Sequence, residues 1–156
     1  MPDADGIRIE IEDPGRPDVV AALRAADSWY ATLYPAESNH LVDVETLRTV
    51  DVTFLAARDG DGALLGFGAI AARGGYAEIK RMYVDPAARG LKLGRRLLER
   101  LERHAVDGGF AIVRLETGIS QPEAIGLYRS AGYRDIAPFG EYRPDPLSLF
   151  MEKWLT

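Results

Sequence analysis

Residues 84–98, V-D-P-A-A-R-G-L-K-L-G-R-R-L-L, join a strand-like run to a helical one through a turn that carries Gly90 and Gly94. A turn at a helix N-terminus can hold phosphate, because unpaired backbone N–H groups and the positive end of the helix dipole meet there. Glycine is required only where φ is positive or where a ligand presses on the backbone. Gly90 and Gly94 are expected to cover those points. Lys92, between them, is expected either to face solvent or to add charge for a phosphate. Taken alone, the segment also fits an ordinary strand-to-helix turn. Upstream, Glu78 puts a carboxylate inside a β-like run, where strand propensity does not explain it. It reads either as a working group or as an exposed residue paired with Lys80 or Arg81. The stretch YPAESNH, 34–40, concentrates polar groups beyond the needs of a plain connector.

Several chemistries are excluded. The chain has no cysteine, so thiol nucleophiles, disulfides and zinc–thiolate sites are absent. His40 and His104 have no metal-ligand spacing around them. The net charge of -5 argues against a nucleic-acid partner. Arg95, Arg96, Arg100 and Arg103 are interleaved with Glu99 and Glu102, the pattern of a solvated helix face. The 89–95 turn lacks the Gly-Lys-Ser/Thr of a nucleotide P-loop. No apolar run reaches membrane-span length, and the acidic start MPDADGIRIEIED is unlike a signal peptide. A cytoplasmic location is expected.

The elements that would position these residues follow from periodicity. Ile7, Ile9 and Ile11 alternate with charged residues, as in a half-buried strand. Residues 17–33 have helical spacing and stop at Pro35; a polar loop and short helix occupy 36–50. Strands over 53–59 and 63–73 flank Gly60-Asp61-Gly62, a hairpin signal. Another strand spans 76–84. Leu93, Leu97, Leu98, Leu101 and Ala105 mark a helix over 93–107, closed by Gly108-Gly109. A strand at 110–118, a helix at 121–132 and strands at 133–136 and 147–154 complete the chain. Trp29 and Trp154 read as packing residues. The 156 residues fit one domain, 1–156, of mixed α/β (α+β) class.

This order of elements, the 84–98 turn and A-I-G-L-Y-R-S-A-G-Y at 124–133 together resemble the GNAT superfamily of acyl-CoA-dependent N-acyltransferases. The turn is similar to the family's pyrophosphate loop, with Lys92 where a middle glycine is usual. The resemblance implies a mostly antiparallel twisted sheet of about seven strands flanked by about four helices. It implies acetyl-CoA as cofactor, held by Arg89, Gly90, Leu91, Lys92, Leu93, Gly94 and Arg95. Met82, Tyr83 and Val84 would lie along the pantetheine, and Gln121 would stand where the family often has a cofactor-contacting asparagine.

It implies an N-acetyltransferase in which Tyr128 protonates the leaving thiolate and Glu78 serves as base, with Glu116 as second choice and a water chain as another route. The acceptor, an amine of a small molecule, amino acid or peptide, would meet Tyr30, Tyr34, Glu37, Ser38, Asn39, His40 and Glu116, and the 138–146 segment. The other reading is a non-catalytic acyl-CoA-binding regulatory module of the same fold. Homodimers are common in the superfamily.

Overall fold

The computed structural model describes residues 5–38, 42–88 and 90–155. The elements run β1 (Arg8–Ile11), α1 (Pro17–Leu33), α2 (Val44–Leu47), β2 (Val52–Arg58), β3 (Leu64–Ala72), β4 (Ala77–Val84), α3 (Leu93–Asp107), β5 (Ile112–Gly118), α4 (Pro122–Ser130), β6 (Arg134–Ile136) and β7 (Ser148–Trp154). Single 3₁₀ turns cover Ala36–Ser38 and Pro86–Ala88. The seven strands form one sheet in the order β1-β2-β3-β4-β5-β7-β6. Each neighbouring pair is antiparallel except β4 and β5, which α3 connects in parallel.

That parallel pairing is short. It joins Ala77 to Val113, Glu78 to Arg114 and Ile79 to Leu115, and then stops. At the same level the β3 partners jump from Ile79 to Arg81, which leaves Lys80 as the extra residue of a bulge. A bulge bends its strand and increases its twist. Beyond it, β4 continues on β3 alone, while Glu116–Gly118 of β5 continue on β7 alone. The sheet therefore opens in the middle. The bulge also resets which side chains share a face. Ile79, Met82 and Val84 all pack with the cluster beneath α3 and α4, whereas Tyr83 packs with the cluster beneath α1 and α2.

Two apolar clusters, one per face, hold these layers. The α3 side is built on Leu97, Leu98, Leu101, Ile79, Leu115 and Met151. The α1 side is built on Val19, Leu23, Leu47, Phe54 and Phe67. The α3 stripe is the one its leucine spacing predicts, and all five of its periodic residues are buried. Among the described residues, no helix is long and apolar enough to cross a membrane.

The approach of α3 to the sheet depends on glycine. A Cβ built on Gly66 would lie 2.5 Å from the Tyr83 carbonyl oxygen, and one on Gly68 would lie 2.8 Å from Leu101 Cδ1. The first contact is with backbone, which cannot move aside without bending β4. Gly66→Ala is therefore expected to lower unfolding free energy by about 2 kcal/mol, read from the urea midpoint at constant m. A change under about 0.5 kcal/mol would show that the strand has room to spare.

Candidate active site

The opening between β4 and β5 leads into two connected spaces. The larger, about 810 Å³, runs from the 90–94 loop along Met82, Tyr83 and Val84 to α4. That volume is of the size that small-molecule and cofactor sites have. The smaller, about 80 Å³, lies between the splayed strands and α1. Tyr30, Met82, Tyr83, Gln121 and Tyr128 line both.

The 90–94 loop explains itself through its backbone. Gly90 has φ 91° and Lys92 has φ 54°, both in the left-handed region. Gly94 does not. Of the two glycines expected where φ is positive or a ligand presses on the backbone, Gly90 has the positive φ, and the second positive-φ residue is Lys92, at a position where glycine is cheapest. Gly94 is small for another reason, because a Cβ there would lie 3.1 Å from Leu127 Cδ2 on α4. The first bond from the loop into α3 is Arg96 N–H to the Lys92 carbonyl, at 3.1 Å. The amides before it belong to the N-terminal set that has no partner within a helix. Lys92 caps the helix with no side-chain hydrogen bond. A left-handed loop, a helix start and a long groove beside it suit an anionic group with an extended tail.

Tyr128 stands where the two spaces meet. It is buried, its ring packs edge-on to Tyr133 at 5.8 Å, and no described residue hydrogen-bonds its hydroxyl. Burial pushes the hydroxyl's pKa well above the usual tyrosine value, and nearby Tyr30 and Glu116 push the same way. The group therefore keeps its proton across the neutral and moderately alkaline range. Burial also raises Tyr30.

Tyr34 closes one end of the smaller space. Its hydroxyl accepts from the Ser120 backbone N–H at 3.1 Å and from Gln121 Nε2 at 3.3 Å. Gly118 makes this possible, since a Cβ there would lie 1.9 Å from the Tyr34 hydroxyl oxygen. Gln121 thus faces both spaces while tied to Tyr34.

The two carboxylates named from the sequence differ sharply. Glu78 is buried at 3% exposure rather than set on an open strand face. It accepts from Tyr142 Oη at 2.6 Å, Lys80 Nζ at 3.1 Å and Arg73 Nε at 3.3 Å. It lines neither space. Glu116 lines the smaller one and accepts from Ser148 Oγ at 2.7 Å. Arg81, also on that wall, donates to Asp27 of α1 at 2.8 Å.

Of the other expected residues, Gly90, Lys92, Leu93 and Gly94 line the larger space and Ser38 the smaller. Leu91 is exposed and lines neither; Arg95 reaches Ser130 on α4 instead. Glu37 sits exposed on its 3₁₀ turn. Arg89, Asn39 and His40 lie outside the described residues. Trp29 corrects the packing expectation: it is half exposed and walls the larger space beside Tyr30. Trp154 is likewise half exposed, its Nε1 donating to Glu152. Sequence reasoning missed Lys80, Arg81 and Thr117 as cavity residues, because alternation does not reveal a bulge. Among the described residues, no cluster of three or more His, Asp or Glu could hold a metal.

A split sheet with a left-handed loop and helix start at its mouth defines a class, and comparison with known proteins names it. The profile of the Acetyltransferase (GNAT) family matches residues 21–133, and the chain belongs to that family. It is an acyl-CoA-dependent acetyltransferase, and acetyl-CoA is its acyl donor. The chain is 51% identical over 149 residues to an IAA acetyltransferase of Azospirillum brasilense, covering 94% of this chain and 97% of that one. A solved structure from Klebsiella pneumoniae, described as an acyl-CoA N-acyltransferase, superposes with a TM-score of 0.81 at 38% identity, covering 96% and 98% of the two chains. The PaiA N-acetyltransferase of Thermoplasma acidophilum, solved in complex with coenzyme A, shares the fold at 21% identity with a TM-score of 0.72, over 95% and 98% of the chains.

The left-handed lysine yields a test. Lys92→Gly removes a Cβ from a conformation that costs an L-residue roughly 1–2 kcal/mol, partly offset by the greater freedom of glycine in the unfolded chain. The variant should gain about 0.5–1 kcal/mol in stability, read from the thermal midpoint. Acetyl-CoA affinity should change less than about threefold, because the loop acts through its backbone. Loss of stability would contradict the backbone assignment. A large loss of affinity would move the contact to the ammonium.

Proposed function

We propose that the protein acetylates the amine of a small molecule by direct attack, with the acceptor in the space between Glu116 and α1 and acetyl-CoA in the groove beside the 90–94 loop. The observation that carries this is Tyr128, a buried residue at the junction of the two spaces whose hydroxyl no described residue engages. Backbone amides of the 90–94 loop and the open edge of Met82–Val84 would hold the donor, much as an added strand is held. The donor supplies an activated acyl thioester.

A primary aliphatic amine has a pKa of about 10.4 and is protonated at neutral pH, so the site must remove a proton. Glu116 faces the acceptor space and is the group we assign to hold the ammonium and receive that proton. Ser148 fixes one of its oxygens. Glu78, closed off behind Tyr142 and Lys80, is assigned to positioning: with Tyr142 it holds Lys80, which lines the smaller space. Tyr128 holds a proton at Oη for the leaving group.

Thiol release from acetyl-CoA across a panel of primary amines, with the product amine weighed by mass spectrometry, tests the reading. Release with a mass-shifted amine is expected; donor binding without turnover on any amine contradicts it. Tyr128→Phe should lower kcat about 100-fold and leave the acetyl-CoA KM within about twofold. Because the Tyr128 pKa is raised, kcat should show no alkaline fall from this group up to about pH 10. Glu116→Gln should reduce kcat/KM for the amine more than Glu78→Gln does; the reverse order would return the base to Glu78.

A further inference from the structure

Among the described residues, one buried side-chain nitrogen or oxygen lacks a hydrogen-bond partner, and it is Arg81 Nη2. The Arg81 side chain is 3% exposed and walls the smaller space. Among the described residues its anionic partner is Asp27, which Nη1 reaches at 2.8 Å. Asp27 is 47% exposed and does not line the space. Buried polar groups are almost always satisfied, and an orphan points to an absent ligand or a functional role. A guanidinium is a planar fork suited to an oxyanion with two oxygens. The other cation on the wall, Lys80, is already taken up by Glu78 and Tyr142.

We propose that the acceptor is an amine that also carries a carboxylate, and that Arg81 receives the carboxylate. This rests on the N-acetyltransferase reading above and narrows its substrate class. The wall then offers opposite charges to opposite ends of one zwitterion, Glu116 to the ammonium and Arg81 to the carboxylate. The reaction is otherwise unaltered: the C–N bond forms and the thioester C–S bond breaks, the ammonium loses two protons in all, one through Glu116 to solvent and one on amide formation, and the leaving thiolate gains one from Tyr128. Arg81 touches the substrate away from the reacting atoms, so it sets specificity.

The experiment uses the whole protein with acetyl-CoA and matched pairs: each proteinogenic amino acid with its carboxamide, and ω-amino carboxylates with theirs. The carboxamide amine is the less basic and more freely deprotonated member, so intrinsic reactivity favours it. For at least one pair the carboxylate should nonetheless win in kcat/KM by about tenfold or more. Arg81→Gln should collapse that ratio toward one, through KM more than kcat. Asp27→Asn, which frees the guanidinium from its competing anion, should widen it. That variant and the wild-type ratio keep the test decisive if Arg81→Gln fails to fold. Transfer to carboxamides as fast as or faster than to their acids in every pair overturns the carboxylate site while leaving the acetyltransferase reading intact. No transfer to either member of any pair, with release on another primary amine, overturns the carboxylate site alone; no release on any amine, with acetyl-CoA still bound, overturns both.

Discussion

The parting of β4 from β5 after Ile79 is the constraint on which the site depends. Three residue pairs hold the strands together, and one extra residue, Lys80, turns β4 away. Backbone that would have been consumed in a ladder is left facing a groove. Main-chain donors and acceptors need partners when they are covered, so such an edge is poised to accept an extended ligand. The same bulge sends Arg81 and Tyr83 toward α1 and Met82 and Val84 toward α3 and α4. One local irregularity thus creates the groove and divides its walls into a polar side and an apolar side.

The second requirement is that α3 begin at the mouth of that groove. Its position follows from close contact: Gly66 and Gly68 let the helix settle on β3, and Gly94 lets its first turn meet Leu127. The loop before it must then turn sharply, which it does with two left-handed residues, one of them the lysine. Strain at a ligand-facing loop is a known place for a fold to depart from local preference. Tyr34, Gly118 and Gln121 play the matching part at the other end, where a ring packed over a bare Cα fixes the start of α4.

Much of the fold was legible because its elements are strongly periodic. The 17–33 and 93–107 helices match α1 and α3 at both ends, since a proline and a pair of glycines punctuate clear apolar stripes. The turn before α3 and the place of Tyr128 on α4 were legible because both sit in local patterns. The acceptor side was not. Which carboxylate faces the cavity depends on strand register across residues 78 and 116, and a bulge shifts that register without a sequence mark. Glu78 looked anomalous in its strand for a structural reason, its three donors Arg73, Lys80 and Tyr142, the last 64 positions away. Arg81 and Asp27 are 54 positions apart, and only the fold shows that one of them is half-served. Lys92 could be judged as a missing glycine but not as a left-handed residue, because φ is set by the helix it precedes.

The open β4 edge and the loop amides together form the proposed cofactor site. Amide hydrogen exchange, resolved to single residues and compared with and without coenzyme A, addresses it directly. Slowed exchange at the amides of Met82–Val84 and Gly90–Gly94 that face the groove, with little change along β1 and β2, is the predicted result. Unchanged exchange at both segments under saturating coenzyme A would place the cofactor elsewhere and contradict the account.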